Sequence, residues 1–454
     1  MPQRSPLTSQ LARFVTDLRL QDIPAEGIAT VKAGFADCLA VMIAGRREPV
    51  SHIVDREIAS ADRPEQASII PTMEKRNVAD AALINGVSAH VLDYDDVTLD
   101  GHPSAVLVPT IMAQAEVLHS SGADMVAAYA AGYEVWAELL IREPVPLHQK
   151  GWHPTALRGT IASAAAAAKL LRLTEHQTAT AMAIAASMAS GLVANFGSLT
   201  KCFQVGKAAQ SGIIAARLAR AGLTASVDAL EHPSGFLAAS SPNGEADFGL
   251  VFDPSNKEWH LVRQGLNIKR YPVCYGAHRA IDATIDLVKV QRIRAQDIKN
   301  VEVSTGQTQM LMLRNERPKT AFEAKFSMPF AIASAIVEQK VGLQQLTDEF
   351  VMRDDVQSLF PKISYALTTE TLDGSAFAIE ESVRIVTNSG HTFESPKIKY
   401  AKGSHQRPLT VVELQEKFDD CLGREFQDSS KARAFDRLMN LERINSASDL
   451  LALS

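Results

Sequence analysis

Along roughly the first 265 residues, apolar side chains recur at three- and four-residue intervals, the spacing of one helix face. The pattern predicts helices over 11–18, 25–44, 78–92, 106–118, 155–171 and 208–221. Alanine dominates several of these, most visibly Ile161-Ala-Ser-Ala-Ala-Ala-Ala-Ala-Lys-Leu170. Small side chains let helix axes approach closely, so a tight bundle is expected. Asn77, with Asp80 three residues on, reads as the N-cap and acidic first turn of the third helix.

Near Lys269 the period changes. A helix over 277–290, with Ile281, Ile285 and Val288 on one face, is followed by runs of period two. Val301, Val303 and Thr305 alternate with other residues, as do Ile363, Tyr365 and Leu367, and then Val383 and Ile385. Thr387-Asn-Ser-Gly-His391 is a turn between two strands. From Thr410 the helical spacing returns, with Val412, Leu414 and Phe418, then Phe435, Leu438 and Leu441. No short-period repeat is present. The expected fold is mainly α: a helical domain over 1–266, an α+β domain over 267–404, and C-terminal helices over 405–454 that return to the first domain.

The 454 residues are 46% hydrophobic and 22% charged, enough to bury a large core. A net charge of −6 argues against nucleic acid or an anionic membrane as partner, yet leaves room for a small cationic pocket. The longest uncharged stretch, Gln177 to Thr200, is mainly Ala, Ser, Thr, Met and Gly, too weakly apolar for a membrane span. It reads instead as a fully buried helix. Residues 1–8 carry no apolar core of a secretory signal. Cys38, Cys202, Cys274 and Cys421 are far apart with no CxxC spacing, which removes support for a zinc ribbon and fits a reducing cytoplasm. GxGxxG, GxxxxGK[ST], HExxH and GxSxG are all absent, so nucleotide, zincin and α/β-hydrolase readings lose their usual support.

Two His-Pro pairs, His102-Pro103 and His153-Pro154, each open a helical pattern; a third is His232-Pro233. Proline favours the first helical position, which places His102 and His153 at N-caps. A helix N-terminus suits a bound carboxylate and disfavours imidazolium, keeping a histidine ready to accept a proton. An ordinary helix start would look the same. Upstream, His90 precedes three carboxylates, Asp93, Asp95 and Asp96, which are costly together unless solvated, paired or metal-bound. His90 and Asp93 are spaced to share a helix face. Lys201 ends the uncharged stretch, either reaching for solvent or facing a carboxylate. Lys269, Tyr271, Cys274 and His278 cluster where the helical part gives way to the α+β part, and Lys325 adds a cation beyond Arg317 and Lys319. Ligand sites favour such boundaries, although Cys274 equally suits a buried thiol.

These residues fall in blocks that resemble one family. Asn85-Gly86, His90, Leu92-Asp-Tyr-Asp-Asp96 and Gly101-His-Pro-Ser104 come first, then Gly151-Trp-His-Pro154. Asn195-Phe-Gly197 with Thr200-Lys201, Lys269-Arg-Tyr-Pro272 with Cys274 and His278, Glu323-Ala-Lys-Phe-Ser327 and Lys417-Phe418 follow. In order and spacing they resemble the MmgE/PrpD family, which includes 2-methylcitrate dehydratases, cis-aconitate decarboxylases and iminodisuccinate epimerases. The resemblance implies a helical domain completed by the C-terminal tail, a smaller α+β lid, a homodimer, and a cofactor-free site at the domain junction. It also implies that Asp93, His102, His153, Lys201 and Lys269 occupy active-site positions, with Cys274 and His278 in a motif lining the cleft. At Cys274 the family's animal decarboxylases carry histidine, whereas other branches, some decarboxylases included, carry cysteine.

The shared demand of such substrates is negative charge on a carbon beside a carboxylate, which fixed cations and N–H dipoles stabilise. The expected reaction is loss of water from a small di- or tricarboxylate. Lys201 and Lys269 hold carboxylates, His102 or His153 is the base, and Asp93 orients an imidazole or relays a proton. Epimerisation and decarboxylation use nearly the same groups and stay open as alternatives. A non-catalytic dimer that binds a small acid, and a metal-dependent lyase, are the other readings.

Overall fold

The computed structural model describes residues 6–58, 64–252, 258–372 and 377–451. The protein is mainly α and divides into two compact units, residues 1–267 with 414–454, and residues 268–413. Helices of ten residues or more are numbered here in chain order. The first unit contains α1 (Leu7–Asp17), α2 (Ala25–Gly45), α3 (Pro49–Ile58), α4 (Val78–His90) and α5 (Pro103–Leu118). It continues with α6 (Gly122–Ile141), α7 (Pro154–Leu170), α8 (Glu175–Met188) and α9 (Thr200–Arg220), and strands β1 (Ala67–Ser68) and β2 (Lys75–Arg76) form a small hairpin.

Helix α9 packs against α4, α7, α8 and α5. Its approach to α4 depends on two glycines: a Cβ on Gly86 would stand 2.8 Å from Gly206 Cα, and one on Gly206 only 2.3 Å from the Leu83 carbonyl. Asn77 caps α4 as expected, its side chain accepting from the Ala79 N–H. Helix α2 is the one described helix long and apolar enough to cross a membrane by length and composition. It lies 72% buried over its most apolar window and carries the enclosed Asp37, the pattern of a core helix.

The second unit contains α10 (His278–Gln291), α11 (Met328–Val337) and a four-stranded sheet. Its strands are β3 (Ile298–Gly306), β4 (Ile363–Thr368), β5 (Ser382–Thr387) and β6 (Thr392–Glu394), in the order β4-β3-β5-β6. β3 runs parallel to β4 and antiparallel to β5, pairing Val301 with Ile363 on one side and Ile385 on the other. The inward residues of the alternating runs, Val301, Val303, Val383 and Ile385, are fully buried in one core with Ile281 and Val288 of α10. The expected turn joins β5 to β6, with Gly390 at φ +87°.

Two expectations change. The sequence put the last boundary at 404, but residues 405–413 stay with the second unit. Arg407 approaches Asp282 at 3.5 Å, and Glu413 pairs with Arg270 at 3.6 Å and with Lys402. Helix α12 (Val411–Leu422) therefore enters the first unit only at Leu414, followed by α13 (Asp428–Met439). The uncharged stretch from Gln177 to Thr200 is also not one buried helix. Helix α8 ends at Met188, and the chain then turns through Gly191 (φ +134°) and Gly197 (φ +86°), leaving Leu192 and Leu199 about half exposed at 48% and 53%. Lack of charge marked both a buried helix and the small-residue loop after it.

Candidate active site in the helical unit

The first unit draws its polar residues together at the ends of α4, α5, α7 and α9. Helix α4 ends with the fully buried His90, and the chain turns at Asp93, held at φ +51°. A tight turn follows, in which Thr98 and Gly101 exchange backbone hydrogen bonds of 2.9 and 2.8 Å while Trp136 Nε1 donates to the Leu99 carbonyl at 3.0 Å. This turn delivers His102 to the N-cap of α5, with Pro103 at the first helical position. His153 is likewise the N-cap of α7, followed by Pro154. Its backbone N–H donates to the Gly191 carbonyl at 3.0 Å, and a Cβ on Gly191 would meet Ala156 Cβ at 2.8 Å. The loop after α8 thus seats against the start of α7. The third pair, His232-Pro233, opens no helix and lies among turns.

The side chains form one chain of contacts. The His90 ring centre is 4.4 Å from that of His102 and 6.5 Å from that of His153. Phe196 stands 4.9 Å from the His153 ring, and Lys201 Nζ lies 5.4 Å from the Phe196 centroid. Lys201 closes the series by donating to Asp93 Oδ1 at 2.9 Å. The four residues assigned catalytic roles from sequence, Asp93, His102, His153 and Lys201, are therefore all part of this one group. Lys201 faces a carboxylate, one of the two readings left open for it. The pair is part-exposed (24% and 30% of the side chains), so it is held by about 1 kcal/mol or less and can exchange for a substrate carboxylate.

A second carboxylate, the fully enclosed Asp95, lies against two imidazoles: its Oδ2 is 2.9 Å from His90 Nδ1 and 3.0 Å from His102 Nδ1. Burial alone would raise the Asp95 pKa, but the two imidazoles outweigh it and hold the group well below the usual carboxylate range. His90 is pushed down to about 4, chiefly by burial, and is neutral near pH 7. His153 is pushed down to about 3 by burial, with further lowering from His90.

The tautomer of His153 follows from a second residue that the sequence reading missed. Gln204 Nε2 donates to the Leu192 carbonyl at 3.2 Å, which turns Oε1 toward His153 Nδ1 at 2.6 Å. An amide oxygen only accepts, so Nδ1 carries the proton and Nε2 is the basic nitrogen. The cluster of three carboxylates just before a His-Pro pair pointed toward Asp95; nothing in local spacing pointed to Gln204, on the second turn of a different helix. His90, Asp95 and His102 each offer one ligand atom within 4.8 Å and are the described residues that could hold a cation. His90 Nδ1 hydrogen-bonds to Asp95, so a cation bound there would have to displace that proton.

The substrate-binding candidates of the boundary segment belong to the second unit. Lys269 is buried, and Tyr271 donates its hydroxyl to Asp282 at 2.7 Å. Cys274 is a buried thiol whose backbone N–H donates to the Lys325 carbonyl at 2.8 Å. His278 Nε2 lies 3.2 Å from the Val273 carbonyl, and the Lys325 side chain is half-buried.

With this geometry in view, comparison with known proteins is decisive at the family level. Residues 9–249 match the MmgE/PrpD N-terminal domain and residues 271–441 the MmgE/PrpD C-terminal domain. The chain belongs to the MmgE/PrpD family. A cis-aconitate decarboxylase of Homo sapiens is 29% identical over 74% of this chain and 71% of its own length. One from Aspergillus terreus is 26% identical over 99% of this chain and 96% of its own, and one from Mus musculus is 27% identical over 74% and 70%. This member of the family is an enzyme, and the site above is built from the blocks by which the resemblance was read.

Proposed function

We propose that this protein is a cofactor-independent decarboxylase of a small unsaturated tricarboxylate of the cis-aconitate type. The observation that carries the reading is the match to a cis-aconitate decarboxylase over nearly the full length of both chains. The loss of water expected from sequence has less support, because the three relatives compared are all named for decarboxylation.

The chemistry is consistent with the site. The bond between carbon and one carboxylate breaks, CO2 departs, and the electron pair moves through the adjacent double bond toward a remaining carboxylate. One proton is then added at carbon. Lys201 offers a cation to a retained carboxylate, stabilising charge that grows in the transition state. A neutral His153 cannot supply the proton, but a bound trianion raises the pKa of an imidazole close to it. His153 Nε2 then takes up a proton on binding and returns it to carbon. His102, with Nδ1 3.0 Å from Asp95 Oδ2, is the second imidazole available to the same charge. On the family resemblance and the four scattered, buried cysteines, we also propose a homodimer acting in the cytoplasm.

Incubation with cis-aconitate in heavy water, followed by NMR, tests this. The expected result is one CO2 released and one deuterium fixed at carbon per turnover, lost in a folded Lys201→Ala variant. Hydration of the double bond, or hydrogen exchange without CO2, would overturn it.

A further inference from the structure

The block Lys417-Phe418 has no part in the site just described, yet its lysine reaches the same loop. Lys417 sits on α12, and its ammonium pairs with Asp37 of α2; the two side chains are 2% and 0% exposed. Lys417 Nζ also donates to the Tyr94 carbonyl at 2.8 Å and lies 4.0 Å from the centre of the Tyr94 ring. Tyr94 stands between Asp93, which pairs with Lys201, and Asp95, which bridges His90 and His102.

We infer that Lys417 is a positioning residue for the reaction: by holding the Tyr94 carbonyl it sets the peptide planes from which the Asp93 and Asp95 side chains project. A buried ion pair is a poor way to gain stability, since well-packed apolar residues in its place are often neutral or better. Its value here lies in where the third polar contact goes. The held carbonyl belongs to a segment with a left-handed residue at Asp93 and two more at Leu99 and Asp100, backbone that persists only where its surroundings over-determine it. The groups facing Asp37 are Lys417, Asp95 and Asp96. Burial raises Asp37 to about 6 and Asp96 well above the usual range. Phe418, fully buried and 5.5 Å from Phe435 of α13, anchors α12 beside it.

The inference rests on the catalytic reading of the site, and the test separates the two. Lys417→Met leaves Asp37 buried alone and lowers both thermal midpoint and kcat. In Asp37→Asn with Lys417→Met neither charge remains, so the midpoint returns toward wild type while the hold on Tyr94 stays lost. There kcat is expected to remain at least about tenfold down with KM changed less than about threefold, since small misplacement of reacting groups falls on kcat. Recovery of kcat along with the midpoint would overturn the inference. Should both neutral variants fail to fold, Lys417→Arg decides, because it keeps the ion pair and moves the donor off the carbonyl. A wild-type midpoint with kcat more than about fivefold down supports positioning, and an unchanged kcat overturns it. Absence of turnover in the wild-type protein would instead remove the catalytic reading itself.

Discussion

A histidine at an N-cap is visible in sequence; its protonation state is not. His102 and His153 were placed correctly because proline cannot donate inside a helix and so marks its first position. What makes His153 basic at one particular nitrogen is Gln204, itself fixed by the Leu192 carbonyl. Replacing Gln204 with Leu removes the acceptor and should cost about 10- to 100-fold in kcat with KM little changed, the scale seen when residues that orient a functional histidine are lost. Steady-state kinetics on folded protein check this. The burial of His153 has its own signature. Lowered to about 3 from an ordinary 6.5, it binds fewer protons in the native state than in the unfolded chain between those values. Its contribution to stability is therefore full above the unfolded value and is lost as pH falls toward the folded one. The stability gap between wild type and His153→Gln should narrow on acidification below about pH 6.5, with a limiting slope of about 1.4 kcal/mol per pH unit. Urea titrations across that range would show it, and a constant gap would mean the imidazole titrates normally.

Elements with one buried face were legible, and so were several buried all round, such as α4, every residue of which is enclosed. The amphipathic α10 and the alternating strands of the second unit appear where the spacing put them. Helix α6 went unread, although it is no more enclosed than α4 or α5. Its start was nonetheless written in Ser121 and Asp124, which cap each other's backbone N–H groups. Pairing of β3 with β4 in parallel lies beyond any local signal, since the partners are 62 residues apart along the chain (Val301 with Ile363). The contact of α4 with α9 is the element-scale feature that bears on function, for α4 ends in His90 and α9 carries Lys201 and Gln204. Gly206→Ala would push its Cβ against the Leu83 carbonyl and should cost about 1–3 kcal/mol, measured as a lower urea midpoint. Asn77→Ala, which removes the cap of α4, should cost about 1 kcal/mol and serves as the control for a change that leaves this contact intact.

On the proposed reading, an anionic substrate binding to a chain of net charge −6 brings protons with it. If buried neutral imidazoles charge when a tricarboxylate arrives, calorimetry in buffers of different ionisation enthalpy should register a net uptake of protons near pH 7, and the uptake should fall in His153→Gln. Equal heats in all buffers would remove His153 as the proton carrier. The sequence by itself determined the fold class, the helix starts at His102 and His153, the alternation of the strands and the family, because each rests on short-range spacing or on the order of blocks along the chain. Only the tertiary structure decided that Asp95 lies against His90 and His102, that Gln204 sets the tautomer of His153, and that Lys417 reaches the turn at Tyr94. Those choices depend on which buried polar group has which partner, and the cost of leaving such a group unpaired is settled between helices brought together by packing, not between neighbours in sequence.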